Sequence, residues 1–183
     1  IAPDYDQYLK LIEIYHGGFT HGNRHFVNTL IDWDTITARD FASSYPFVML
    51  SERYPCENFT PCKNKTVDEI LAMKDTHAFM FKFVAINIRL KSDRYPMPAL
   101  QHSKTLKTIN PIIDNGRILA SNYVSIYLNE QDLSVIASMY DWDRAICTEC
   151  EKALKDYLPR WFTDYVYECY HDKCALKGGD PVL

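Results

Sequence analysis

The segment Ala78 to Lys91 restricts the fold of this chain more than any other. It runs for fourteen residues with neither glycine nor proline. Its first half, Phe79, Met80, Phe81 and Phe83, is apolar on both faces of an extended chain, which predicts a strand covered on each side. Its second half sets Val84, Ile86, Ile88 and Leu90 against Asn87, Arg89 and Lys91, so one face should meet solvent there. Two more strands follow. Ile118 to Leu128 places Ile118, Ala120, Val124, Ile126 and Leu128 on one face, and Asp114-Asn115-Gly116-Arg117 before it is a hairpin-turn sequence. Trp142 to about Cys150 reads as a further strand.

Helices are marked by their ends. Tyr5, Tyr8, Leu9, Ile12 and Tyr15 form one apolar stripe over Asp4 to His16, with Asp6 and Lys10 as an i,i+4 pair on the other side. Gly17-Gly18 then supplies the left-handed position that stops a helix. Thr66-Val67-Asp68-Glu69 is a capping box opening a short helix to about Met73. Asn129 caps a helix with Glu130 and Asp132 in its first turn and Leu133, Ile136, Ala137 and Tyr140 as its buried stripe. Pro159 opens a last helix carrying Phe162, Tyr165, Val166, Cys169, Lys173 and Leu176 at helical spacing, closed by Gly178-Gly179. Between these elements, Cys56 to Asn64 and Arg94 to Ile113 read as loops. The second holds three prolines and a basic cluster, His102, Lys104 and Lys107, a candidate phosphate contact.

Near the N-terminus, Phe19 to Asn23 and Thr35 to Phe41 predict neighbouring antiparallel strands, with Asn28-Thr29-Leu30 close to the connecting turn. Asp32 and Asp34 in that connection read as solvated loop carboxylates. The second strand leads through Arg39-Asp40-Phe41-Ala42-Ser43-Ser44-Tyr45-Pro46 into a helix with Pro46 in its first turn. A carboxylate at such a strand end, here Asp40, can hold a hard cation, with Tyr45 projecting into the space above.

Composition narrows the class. The formal charge of −4 argues against the whole chain being a nucleic-acid-binding domain, though not against a local basic groove. No run of eighteen apolar residues predicts a membrane span, and no signal-peptide pattern is present. These features fit a cytoplasmic protein, and a start at Ile1 rather than Met reads as a boundary within something longer. The six cysteines include Cys147-x2-Cys150 and Cys169-x4-Cys174, which suggest zinc. Periodicity works against that: Cys147 and Cys150 should point to opposite faces of a strand, and Cys169 and Cys174 share a helix face poorly. Reduced thiols are the better reading.

Tyr15-x-Gly17-Gly18-Phe19, then Asp40-x-x-Ser43-x-Tyr45-Pro46, then a β-rich segment containing Val124-x-Ile126-Tyr127-Leu128-x-x-x-Asp132-Leu133, resembles the order of motifs in protein-primed family B DNA polymerases. The resemblance implies an α+β fold. Residues 1–55 would be the start of an antiparallel palm sheet with its helices, and 56–183 mostly a β-containing insertion lobe, the terminal-protein region. It implies a piece of a DNA-directed DNA polymerase, working on template–primer DNA and deoxynucleoside triphosphates, with a priming terminal protein as a further partner. Asp40 would bind catalytic Mg²⁺ together with a second Asp outside this chain. Phe41, Ser43, Ser44 and Tyr45 would contact the incoming nucleotide, and Tyr15, Gly17 and Gly18 the DNA. Ser44 stands where that family usually has Leu. The finger motif and the Asp-Thr-Asp motif do not occur here, so the isolated chain is expected to be inactive. The alternative is a non-catalytic DNA- or protein-binding module of a mobile element.

Overall fold

The computed structural model describes residues 3–15, 22–32, 34, 36, 37, 39 and 44–179. Helix α1 (Tyr5–Ile14) comes first, then a single 3-10 turn at Arg24–Phe26, helix α2 (Ser44–Ser51) and strands β1 (Arg53–Pro55) and β2 (Thr60–Pro61). Helix α3 (Val67–Met73) precedes the long strand β3 (His77–Leu90). Next are a 3-10 turn at His102–Lys104, strands β4 (Lys107–Ile109), β5 (Ile112–Asp114) and β6 (Arg117–Asn129), and helix α4 (Glu130–Met139). Strands β7 (Tyr140–Asp141) and β8 (Arg144–Tyr157) and helix α5 (Arg160–Gly179) complete the chain. The class is α+β: an eight-stranded sheet in the order β1-β8-β3-β6-β4, with β2 on β8, β5 on β6 and β7 on β3. Every pairing is antiparallel.

Strand β3 is central, as its doubly apolar first half requires, with β6 and β8 on its two sides. Phe79, Phe81, Phe83, Ile126 and Leu128 are buried on one face, against Val67 and Ile70 of α3 and Leu133 and Ile136 of α4. Complete burial of side chains this size contributes roughly 1.5–3 kcal/mol each, so this layer holds the fold together. Trp142 closes one end edge-to-face on Phe83, ring centroids 5.7 Å apart. Tyr140 is buried in the same core, and its hydroxyl donates to the Ile118 carbonyl at 2.7 Å and accepts from the Leu100 amide at 3.3 Å.

The predicted caps form as local chemistry demands. Thr66 and Glu69 make both halves of a capping box. Asn129 accepts from the amides of Gln131 and Asp132 at 2.9 and 2.8 Å. Asn115 (φ 47°) and Gly116 (φ 75°) both adopt the left-handed conformation that the β5–β6 hairpin needs.

Other expectations are corrected. The stripe on α1 faces solvent: Tyr5, Tyr8, Leu9, Ile12 and Tyr15 are exposed, while Gln7 and Ile14 are buried. The cause is Glu151 on β8, a buried carboxylate that Gln7 Nε2 reaches at 2.7 Å and Lys10 Nζ meets as an ion pair. A buried carboxylate without such partners would be strongly destabilising, so the polar side of α1 turns inward and Lys10 pairs with Glu151 rather than Asp6. On β3 the inward residues are Phe83 and Ala85, not Val84 and Ile86. Asn87, at φ 51°, then shifts the alternation so that Ile88 is buried. Glu149, at φ 52°, marks a separate register shift on β8, opposite Met80 to Lys82. The two residues between Cys147 and Cys150 therefore do not send them to opposite faces, and both are buried in the core. Strand β8 continues to Tyr157 rather than ending near Cys150, and residues 94–113 hold β4 and β5, each only three residues long. On α5, Phe162 and Val166 are half-buried, whereas Tyr165, Cys169 and Leu176 are exposed. The predicted strands at 19–23 and 35–41 lie largely outside the described residues. The described members Gly22, Asn23, Ile36, Thr37 and Arg39 are in no strand.

Candidate functional site

Of the residues singled out from the sequence, Tyr15, Ser44 and Tyr45 are described. Gly17, Gly18, Asp40, Phe41 and Ser43 lie outside the described residues. Tyr15 ends α1. Its extended backbone (ψ 111°) breaks the helix while its amide still reaches the Leu11 carbonyl at 2.9 Å. Its ring borders an apolar cleft of about 590 Å³ formed with Leu11 and Ile14 of α1, Leu100, and Val135 and Ile136 of α4.

Ser44 and Tyr45 open α2, with Pro46 as its third residue, where a missing amide hydrogen leaves no bond unmade. Tyr45 is 80% exposed, so its ring is not part of a core. Further along α2, Val48 and Glu52 border a second cleft of about 550 Å³, opposite Leu11 and Ile14 of α1, with Phe79 and Glu130 at its floor. The two clefts share Leu11, Ile14 and Asn129 as walls; Tyr15 borders the first, whereas Tyr45, at the opposite end of α2 from Glu52, lines neither.

The floor of the second cleft is an ion pair. Glu130 and Lys155 side chains, 5% and 7% exposed, bond to each other. Glu130 also accepts from the Phe79 amide at 2.8 Å, and Lys155 donates to the Lys74 carbonyl at 2.9 Å. Both carboxylate oxygens of Glu130 and two of the three donors of Lys155 have partners, which makes the pair a fixed support rather than a reactive group.

A second cation fixes the segment between the Tyr-x-Gly-Gly and Asp40 motifs. Arg24, only 5% exposed, pairs with Asp93 and with Asp114 (3.2 Å), and donates to the carbonyls of Tyr95 (3.1 Å) and Asp93 (2.8 Å). The planar fork of donors holds residues 22–29 against the 93–96 loop and the β5–β6 hairpin together, which a lysine could not do. Neither this clamp nor the Gln7–Glu151 contact had a signal in the sequence, because each joins residues far apart in the chain.

The basic cluster is divided. His102 and Lys104 are half-buried, and the His102 amide is committed to the Gly116 carbonyl at 2.9 Å. Lys107 stands on β4 with its Nζ 5.8 Å from the centre of the Tyr123 ring. Among the described residues no three His, Cys, Asp or Glu side chains converge to hold a metal ion. Burial pushes the thiols of Cys147 and Cys150 up to about 12 and about 11. Cys56, Cys169 and Cys174 are exposed free thiols.

No protein-family model matches the chain, and no curated protein matches it. Among solved structures, an orthorhombic crystal form of Phi29 DNA polymerase is similar, with a TM-score of 0.58 and 18% sequence identity. The similarity covers 94% of this chain and 28% of the polymerase chain. The likeness is one of fold: nearly the whole chain has the architecture of a piece of that enzyme.

Proposed function

We propose that this chain is a portion of a DNA-directed DNA polymerase of the protein-primed family B type. The carrying observation is the fold shared with Phi29 DNA polymerase over 94% of the chain, in a sequence that also holds Tyr-x-Gly-Gly and Asp-x-x-Ser-x-Tyr-Pro in the order of that family. Residues 1–55 would begin the palm and 56–183 would form mostly the terminal-protein-region lobe. Template–primer DNA, deoxynucleoside triphosphates and a priming protein would be partners of the whole enzyme.

In this reading Asp40 supplies a hard oxygen ligand of the kind Mg²⁺ prefers, and a second Asp beyond this chain completes the set. The metal, when bound, would polarise the triphosphate and lower the charge on the reacting oxygens. Phe41, Ser43 and Ser44 follow Asp40 directly and would line the triphosphate. Tyr45 would lie along the sugar, held by Pro46 and α2. An aromatic wall there leaves no room for a 2′-hydroxyl, which discriminates by exclusion. Tyr15, Gly17 and Gly18 would meet the DNA backbone, since glycine lets a phosphate approach closely.

The test is primer extension by the complete enzyme. Asp40→Asn should abolish extension while DNA binding persists, and Tyr45→Val should raise ribonucleotide incorporation far more than it lowers deoxynucleotide incorporation. Substantial extension by Asp40→Asn would refute the metal role. Equal loss of both nucleotide classes in Tyr45→Val would refute the sugar-wall role. The isolated chain, with one carboxylate of the pair, should extend nothing.

A further inference from the structure

Strand β2 is two residues long, but its pairing with β8 runs on past its end. Thr60 lies opposite Lys152 and Pro61 opposite Glu151, so the next residue, Cys62, falls opposite Cys150. The Cys62 amide donates to the Cys150 carbonyl at 2.8 Å, which fixes that register. Both side chains pack into the same core cluster, Cys150 at 2% exposure and Cys62 half-buried. Their thiols are in hydrogen-bonding contact with each other. Directly opposed residues joined by a backbone bond have Cα atoms about 5.5 Å apart, within the span that a disulfide bridges.

The two thiols differ in access. Cys150 is shut away from water, its Sγ 3.2 Å from the Cys147 carbonyl oxygen. Cys62 keeps a side open to solvent. Burial raises its thiol above the ordinary value, while Lys65, Lys152 and the Cys150 thiol each pull the other way and Glu151 adds to the rise. Cys147 is a third thiol in the cluster, but it stands on a different rung. It lies opposite Lys65, and the amide of each donates to the carbonyl of the other, at 2.9 Å from Cys147 and 3.0 Å from Lys65. Cys56, Cys169 and Cys174 are exposed and outside the cluster.

We propose that Cys62 and Cys150 are a reversible dithiol–disulfide pair that fastens β2 to β8, closed by a low-molecular-weight disulfide such as oxidised glutathione. The Cys62 thiolate attacks one sulfur of that disulfide and breaks its S–S bond. One glutathione leaves as a thiolate and takes up the proton that Cys62 gave, and Cys62 carries the other as a mixed disulfide. Cys150 then attacks Cys62 Sγ, and its proton leaves with the second glutathione. Two electrons pass from the protein thiols to the reagent, and two glutathione thiols are released. The opposed pair is the wider of the two antiparallel kinds, so the bond closes under tension and reduced glutathione reopens it. What the bond fastens is the seat of α1. The Phe59 carbonyl, three residues before Cys62, accepts from Gln7 Nε2 at 3.0 Å, and Gln7 also holds Glu151, the neighbour of Cys150. The pair rests on strand register alone and is independent of the polymerase reading.

The experiment uses the chain with its exposed thiols removed, Cys56→Ser, Cys169→Ser and Cys174→Ser, so that Cys62, Cys147 and Cys150 remain. The folded protein is incubated with oxidised glutathione, its thiols are counted by alkylation in denaturant, and the linkage is read from peptide masses. Three thiols should fall to one, no glutathione should be retained, and the linked peptides should be those of Cys62 and Cys150. Cys150→Ala should stop at one glutathione on Cys62, and Cys62→Ala should take none. The oxidised protein should unfold at about 1 M more urea than the same protein after reduction, because the bond closes a long loop in the unfolded chain. Cys147→Ala, though less stable, should keep that difference. The proposal is overturned if glutathione stays on Cys62 while Cys150 is present, if the linkage joins Cys147 to Cys150, or if the bond forms only once urea has unfolded the chain. The linkage map needs no core variant, so it decides the matter even where an alanine variant fails to fold.

Discussion

Replacing Lys155 by Met removes the only cation bonded to Glu130 among the described residues and leaves the rest of its surroundings intact. The carboxylate, 5% exposed, would keep one described partner, the Phe79 amide at 2.8 Å. Methionine is close to lysine in volume, so packing along the stem is preserved and the electrostatic loss stands alone. Breaking a buried pair by removing one member costs about 3–5 kcal/mol, because the remaining charge is stranded away from water. The Lys74 carbonyl also loses its 2.9 Å donor, but it can turn toward solvent with its loop. At a typical urea dependence of 1–3 kcal/mol per molar, a loss of about 4 kcal/mol lowers the unfolding midpoint by roughly 2 M. Glu130→Gln should cost less, about 1–2 kcal/mol, since an amide oxygen still accepts from Phe79 and the lysine stem can move toward water. The double variant should be more stable than the sum of the single losses implies, by about 0.5–3 kcal/mol. Circular dichroism during urea titration of the four proteins gives all these quantities. A Lys155→Met midpoint within about 0.3 M of wild type would refute the reasoning, because it would mean that water already reaches Glu130.

Asn129→Ala removes an acceptor shared by two amides at the start of α4 and should destabilise the chain by about 1 kcal/mol, with Asn129→Asp near neutral. Equal urea midpoints for the alanine and aspartate variants would count against the cap. The six thiols should divide by burial: Cys56, Cys169 and Cys174 react promptly with an alkylating reagent at pH 8, Cys62, half-buried and with its thiol raised by burial, reacts more slowly, and Cys147 and Cys150 do not react. Burial raises these two thiols to about 12 and about 11, so the folded state binds their protons more tightly than the unfolded state does. The associated stability is complete below the ordinary thiol pKa and is lost as pH rises through the folded values. Thiol counting from pH 7 to pH 10 should therefore show two slow cysteines at neutral pH that gain reactivity only with the onset of alkaline unfolding.

What the sequence made legible was local. The Thr66–Glu69 box, the Asn129 cap, the Asn115-Gly116 turn and the doubly apolar start of β3 are decided by neighbours within four residues, and each formed as read. The orientation of α1 is decided 144 residues away, at the Gln7–Glu151 contact, and no periodicity in α1 could announce it. The alternation of β3 and β8 departs from a strict period of two because one left-handed residue in each strand, Asn87 and Glu149, changes which side chains face inward. Asparagine tolerates that conformation, so Asn87 could have been suspected; glutamate carries no such sign. Strands β4 and β5 carry no signal in the sequence, because three residues are too few to show alternation. Of the candidate site, Tyr15 and Tyr45 are exposed, and Gly17, Gly18, Asp40, Phe41 and Ser43 lie outside the described residues.

The partners of β8 have a consequence in time. Arg53 of β1 pairs with Tyr157, and Thr60 of β2 with Lys152, so the earliest of the described strands find their neighbour only in the last of them. On a ribosome adding 5–20 residues per second, β1 leaves the exit roughly 5–20 seconds before β8 does. Pairing of β3 with β6 closes much sooner, and its two strands can hold a first core with α3 and α4 while the edge at β3 stays open. Until β8 arrives, that edge presents His77 to Ile86 to any extended chain nearby. Synthesis therefore passes through an interval in which the edge of β3 is open to wrong partners, and β8, emerging later, is the strand that covers it.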